Sequence, residues 1–313
     1  MGTQLIHYFH DHLVATRGSR VQKLCIDGGF TCPNRDGTKA RGGCLFCDAA
    51  GSGAAHIAAA SSIAEQVALQ KERCRQRYHA SLFIAYFQAF SNTYAPIDAL
   101  RVLYEQAIMD DEVIGLSVGT RADCVDAAVC QLLRSCQARG KRVWVEIGIQ
   151  TVNQQTLDRM NRAETVDDFA KACRLVKEHG LELVTHVIAG LPGDCPADFR
   201  STIEFVNCMR ADGIKIHNLY IDSRSRLAGA WRAGEVRTLE WDEYVALVAD
   251  AIERLSPHCL VHRLSGQAPR PYHLAPDWAL DKTRVIKGIE AELYRRRTSH
   301  GSRFVPPSDA CSP

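Results

Sequence analysis

The chain has 313 residues, 46% apolar and 24% charged, with a formal net charge of +2, the balance of a globular protein of one large domain, or one domain plus an appendage. No window approaches ~18 apolar residues, and the opening stretch MGTQLIHYFHDHLVATRGSR lacks a signal core and cleavage pattern, so a cytoplasmic protein with no membrane span is expected. Thirteen cysteines are an odd number in a chain too long to need staples, which argues against a disulfide framework and for a cysteine cluster that binds metal or does chemistry.

Residues 1–20 read as an N-terminal extension. Strands are then predicted at 21–26, 83–88, 114–120, 143–150, 182–190 and 214–221, as short runs rich in β-branched residues. Helices separate them. The one at 62–78 opens on a capping box, Ser62 with Glu65. A second begins at Pro96 and covers 96–109. Helices at 122–139, 166–179 and 196–212 end before Gly140, Gly180 and Gly213, which are read as C-caps. Six βα units in a row imply a parallel sheet with right-handed crossovers. In the fourth strand, Val143, Val145, Ile147 and Ile149 alternate with Trp144, Glu146, Gly148 and Gln150. A doubly wound sheet buries both faces under helices, whereas here one face is aliphatic and the other polar or small. The fold class expected is therefore α/β, a partial (β/α)6 TIM-type barrel over 21–222 with something held inside. A small C-terminal α/β subdomain is expected over 223–305, with a helix at 239–255, a strand near 260–264 and a tail carrying nine Lys/Arg against four Asp/Glu between 261 and 305. Residues 306–313 read as a frayed tail.

Cys32, Cys44 and Cys47 are spaced C-x11-C-x2-C just after the first strand, at the rim where α/β folds bind ligands. The residues between the first two include no large apolar side chain, so the loop is not expected to order itself by burial; a metal could order it by ligation. Three thiolates suit an iron–sulfur cluster with one iron left open; the competing reading is a zinc site completed by His56. Spacing alone leaves both readings standing, alongside unligated thiols. The series Cys124, Cys130, Cys136 steps by six and spreads around a helix, so these are read as core and surface thiols.

The segment from CPNRDGT to GGCLFC resembles the radical S-adenosylmethionine (SAM) superfamily, with a first gap longer than the commonest C-x3-C-x2-C. That gap, with AYFQAFSNTYAP, VGTRADC, WVEIGIQT, GLPGD, KIHNLY and HRLSGQAPR along the chain, is similar to the YhcC/YtqA-like family and, more remotely, to the elongator catalytic subunit, which acts on tRNA. The resemblance implies an enzyme whose Cys32, Cys44 and Cys47 ligate a 4Fe–4S cluster. The open iron would bind SAM, and an electron from a reductant such as flavodoxin or ferredoxin would release a 5′-deoxyadenosyl radical. It further implies SAM contacts from Phe46, Gln88, Arg121, Glu146, Gln150 and Gly190, Gly190 by close backbone approach to adenine. It assigns no catalytic residue toward the substrate, and His186 and His217 read equally well as core histidines. The segment SRSR at 223–226 departs from the Gly-Thr-type turn expected there. The tail interleaves Lys/Arg with Tyr and His, a composition suited to RNA and equally to a solvated helix face. The substrate classes carried forward are RNA, tRNA in particular, and a small metabolite or peptide inside the barrel; a zinc-binding RNA module without catalysis is the alternative.

Overall fold

A computed structural model describes residues 4–48 and 62–307; His56, the proposed fourth ligand of a zinc site, lies outside them. The first helix, α1 (Phe9–Arg17), precedes β1 (Val21–Ile26), and one helical turn, α2 (Pro33–Asp36), sits within the cysteine loop. Then follow α3 (Ile63–Tyr78), β2 (Leu82–Phe87), α4 (Ile97–Ala107), β3 (Val113–Thr120), α5 (Ala127–Ala138), β4 (Arg142–Gln150), α6 (Gln154–Arg159), α7 (Val166–Glu178), β5 (Glu182–Ala189), α8 (Pro196–Cys208) and β6 (Gly213–Asn218). The C-terminal part comprises β7 (Ile221–Asp222), α9 (Leu227–Arg232), α10 (Trp241–Arg254), β8 (Leu260–Arg263), β9 (His273–Ala275) and α11 (Lys282–Arg296).

The main sheet runs β1-β2-β3-β4-β5-β6-β8, every neighbouring pair parallel. The six expected strands are all present, and the C-terminal strand adds a seventh beside β6. β7 and β9 form a separate antiparallel pair. The capping box at Ser62 and Glu65 forms. Gly140 and Gly180 take φ of 79° and 66° at their helix ends. Gly213 does not cap: α8 stops at Cys208, Arg210 takes φ 48°, and Gly213 opens β6. There a Cβ would stand 2.5 Å from His262 Nε2, so close packing explains the glycine. The helix expected from 122 begins at Ala127, because the Asp126 side chain accepts from the Val129 N–H at 2.8 Å.

The sheet is curled, and its side chains prove it. Lys23 on β1 and Lys215 on β6 both reach the Glu146 carboxylate on β4. In a flat sheet β1 and β4 would stand about 14 Å apart, at ~4.8 Å per strand; one carboxylate can serve both lysines only inside a partial barrel. The outer, aliphatic face packs under helices in one large core that includes Val143, Val145, Ile147 and Ile149. At the inner face's lower end, Ile84, Trp144 and Val184 pack with Phe9 and Leu13 of α1. The Phe9 ring meets Trp144 edge-on at 5.4 Å and stacks on His262 at 3.8 Å. The N-terminal helix is thus a plug for the barrel floor. Cys130 and Cys136 are buried in the large core, as the core reading of those thiols expects.

Candidate active site

Above the plug, the inner face carries a layer of charge. Glu146 is fully buried. Its Oε1 accepts from Lys23 Nζ at 2.6 Å and Ser117 Oγ at 2.5 Å. Its Oε2 accepts from Lys215 Nζ and from His186 Nε2, the latter at 2.7 Å. Lys215 Nζ also donates to Tyr86 OH at 2.8 Å and lies over that ring. Burial alone would push the Glu146 carboxyl up; Lys215, Lys23 and His186 outweigh it and hold the carboxyl well below its usual range. Burial with Lys215 nearby pushes His186 down to about 4, so it is neutral at pH 7.

This layer opens upward into a cavity of about 530 Å³ at the C-terminal ends of the strands. Cys32, Cys44 and Cys47 line it, with Phe46, Gln88, Arg121, Glu146 and Gln150. Eight of the nine residues singled out in the sequence therefore meet in one space. Gly190 is the exception. It takes φ 86°, and a Cβ there would stand 2.7 Å from Leu239, beside a separate cleft; its freedom serves a turn packed on Leu239 rather than a close approach within this cavity.

The cysteine loop, not expected to order itself by burial, is held largely by hydrogen bonds from the rest of the chain. The turn between α6 and α7 supplies the grip. Asn161, at φ 52°, donates through Nδ2 to Gly43 O at 2.8 Å and Arg41 O at 3.2 Å. Leu45 N–H donates to Met160 O at 3.0 Å, and Gly43 N–H to Asn34 O at 2.8 Å. Leu45 and Phe46 pack on an apolar cluster with Met160, Ile188 and Leu227. Two buried donors point at the second cysteine: Asn34 Nδ2 is 3.3 Å from Cys44 Sγ, and Arg162 Nη1 is 3.6 Å from it. The Cys44 thiol is held well below its usual range by the hydrogen bond from Cys47 and, against the cost of burial, by Arg162. Among the described residues no three His, Cys, Asp or Glu are grouped to hold a metal ion.

Arg162 also donates to Gly148 O and pairs with Glu164 at 2.8 Å. Gly148 makes the room: a Cβ there would stand 2.5 Å from Gln150 Nε2 and 3.3 Å from Arg162 Nη2. Gln150 itself takes φ 70° at a register shift in β4. Arg121 grips Asp123 through two bonds of 2.9 Å, so it is more than a surface ion pair. Its Nη1 and Ser91 Oγ both belong to cavity-lining residues and are buried without a partner among the described residues.

Sequence reasoning missed Asn34, Lys23, Arg162, Lys215, Arg224 and Arg263. The alternation read in the fourth strand, extended to β1 and β6, is the signal that could have marked Lys23 and Lys215 as inward-facing; nothing local marked Arg162. In SRSR, Arg224 pairs with Asp222 at 2.7 Å and with Asp48 at 2.6 Å, fastening the end of the cysteine loop to β7. In the basic tail, Arg295 and Arg296 pair with Glu292, and Arg303 with Glu253, so part of that charge is already spent.

A parallel partial barrel with three cysteines at its C-terminal mouth is the architecture of a radical SAM enzyme. A model described as "Radical SAM superfamily" matches residues 34–206, and one described as "Radical_SAM C-terminal domain" matches 211–295. The chain belongs to the radical SAM superfamily and, within it, to the family of YhcC and YtqA. Protein YhcC of Escherichia coli is 39% identical over 98% of this chain and 99% of its own length. YtqA of Bacillus subtilis is 36% identical over 95% of the chain and 92% of its own. More distant is Elongator complex protein 3 of mouse, 27% identical over 50% of this chain and 29% of that protein. Among solved structures, the archaeal Methanocaldococcus infernus Elp3 shares the fold, with a TM-score of 0.68 at 15% identity, covering 91% of this chain and 64% of that one. Enzymes of this superfamily work with a 4Fe–4S cluster and SAM. No helix among the described residues is long and apolar enough to cross a membrane.

Proposed function

We propose that Cys32, Cys44 and Cys47 hold a 4Fe–4S cluster and that the chain uses it to cleave SAM reductively and modify an RNA, tRNA being the favoured class. The observation that carries the cluster is the donor set at Cys44. A buried amide and a buried guanidinium already aim N–H groups at one sulfur lining a cavity shared with two more cysteines, the kind of surrounding that stabilises a ligating thiolate and tunes its iron. Held by Cys32, Cys44 and Cys47, such a cluster would supply the electron for reductive cleavage of SAM.

The chain's own part is positioning and exclusion. Asn161 and Met160 fix the cysteine loop, and Arg162 supplies a permanent positive charge beside the thiolates. Arg121 Nη1 and Ser91 Oγ offer a free donor and a hydroxyl to a polar ligand at the cysteine end, with Gln88, Gln150 and Phe46 on the walls. Glu146, locked by four donors, keeps Lys23 and Lys215 inside the barrel. The tRNA reading draws on likeness to Elongator complex protein 3 and to a tRNA uridine(34) acetyltransferase of Methanocaldococcus jannaschii, 29% identical over 44% of this chain and 25% of that protein. A reductant such as flavodoxin or ferredoxin is the implied partner, and the cytoplasm the implied setting.

Anoxic reconstitution tests the first half. Iron and sulfide should bind the wild type and not the Cys32→Ala/Cys44→Ala/Cys47→Ala variant, and SAM should yield methionine and 5′-deoxyadenosine only with reductant. Zinc uptake without iron would instead indicate a non-catalytic module. Comparison of tRNA nucleosides from a deletion strain and its parent tests the second half. An unchanged nucleoside profile would move the substrate to a small metabolite or peptide.

A further inference from the structure

We propose that the cavity wall built by β6, β8 and α11 is a binding subsite for an oxyanion of the substrate, a carboxylate or a phosphate, held by Arg263 and Lys282 beside Lys215. This deepens the enzyme reading and rests on the cavity being the substrate's.

The argument is one of charge without a counter-charge. Arg263 pairs in register with Lys215 across β6 and β8, so both side chains face the barrel interior. Lys282, at the start of α11, lines the same cavity. Among the described residues only two carboxylates line it, Asp48 and Glu146. Asp48 is taken by Arg224 at 2.6 Å. Glu146 is shared already by Lys23, Lys215, His186 and Ser117. That leaves Arg263 and Lys282 with no hydrogen bond or ion pair among the described residues. Besides Arg121 Nη1, Arg162 Nε and Ser91 Oγ at the cysteine end, the lining holds two more buried polar atoms without a partner among the described residues, His217 Nε2 and Gln267 Oε1. His217 Nε2 can donate to an oxyanion in one tautomer. Burial and then Arg263 push the Lys282 ammonium down, the strain a bound anion would relieve. Arg263 and Lys282 are exposed at the open mouth of this cavity, and a guanidinium beside ammonium groups there is suited to fork onto a carboxylate or phosphate. The methionine carboxylate of SAM is a separate demand, since the cysteine end has its own unpaired donor in Arg121 Nη1.

The test is equilibrium binding of inorganic phosphate, malonate and neutral malonamide to the full chain, alongside the Arg263→Gln, Lys282→Gln and double variants, with iron and sulfide content measured on the same samples after reconstitution. Phosphate or malonate should bind the wild type and malonamide should not. Each single variant should weaken anion binding about tenfold, the scale of one charge-assisted hydrogen bond, and the double variant more, with iron and sulfide content unchanged. Tighter phosphate points to a nucleotide phosphate, tighter malonate to a carboxylate on the substrate. The proposal is overturned if neither anion binds the wild type below roughly 10 mM, a free energy too small for a built site. Equal affinity in the double variant, or displacement of the anion by SAM in the reconstituted enzyme, overturns it as well. Failure to take up iron with anion binding intact would sink the cluster reading and leave the subsite standing.

Discussion

Glu146 is the counter-charge of two lysines at once, so its removal should be costly out of proportion to its size. Glu146→Gln leaves Lys23 and Lys215 facing each other in the barrel, and a loss of about 3–5 kcal/mol is expected, as for breaking a buried pair from one side. Urea unfolding measures it, and adding Lys215→Met should recover part of the loss, because the orphaned charge goes too. A second expectation concerns pH. His300 is buried, stacks on His7 at 4.6 Å, and donates through Nε2 to Ser256 O at 3.0 Å. Burial, with His7 nearby, pushes it down to about 4. The unfolded chain therefore binds a proton near pH 6.5 that the folded chain refuses until about 4, so stability falls as pH drops through that window. His300→Gln should flatten the fall between pH 6.5 and 5 by about 2 kcal/mol, at ~1.4 kcal/mol per pH unit; an unchanged slope in urea titrations would contradict this. At this scale the sequence was half legible. Period-two alternation marked Glu146 and Gln150 as inward-facing. It did not reveal that Glu146 is fully engaged, because its partners come from β1, β3, β5 and β6, and only the curl of the sheet brings them together. Arg162 was invisible for another reason: it stands in a turn, where no periodicity exists to point a side chain anywhere.

Among the elements, strands were the most readable, since short β-branched runs between glycines and polar turns leave little choice of boundary. Helix ends were less so, and Gly213 shows why. A glycine after a helix is normally a cap, yet here the chain needs its missing side chain for His262 at the opening of a strand. The plug helix α1 escaped notice because its apolar residues, Phe9 and Leu13, are few and cover only the barrel floor. Gly115 tests the tightness of that floor. A Cβ there would stand 2.6 Å from Trp144 and 2.7 Å from the Arg142 carbonyl oxygen. The second contact is backbone and cannot swing away, so Gly115→Ala should destabilise by about 1–3 kcal/mol. Phe9→Ala should cost about 3 kcal/mol or more, as for a buried aromatic removed from a packed site. Thermal melts of both, with wild-type melting in either, would show the plug to be loose.

The two ends of the described chain are tied to each other. His300 N–H donates to Leu5 O at 2.9 Å, His7 N–H donates to His300 Nδ1 at 3.2 Å, and Tyr8 bridges to Val261 of β8. The last strand of the sheet therefore comes from the C-terminal third, and the plug beneath it from the first residues. A fragment ending at 222 would lack β8 and expose the edge of β6, so it should aggregate or unfold, while the whole chain should melt in one transition; two resolved transitions by calorimetry would contradict this. Composition could not foretell such a closure, because it depends on contacts between residues nearly the full chain apart.

The fastening of Cys44 to the Asn161 turn has a practical corollary. The bonds that hold this loop, from Asn34, Asn161 and Leu45, involve no metal. On the cluster reading, the iron-free chain should therefore keep the loop folded, and reconstitution with iron, sulfide and a thiol reductant should proceed without a refolding step.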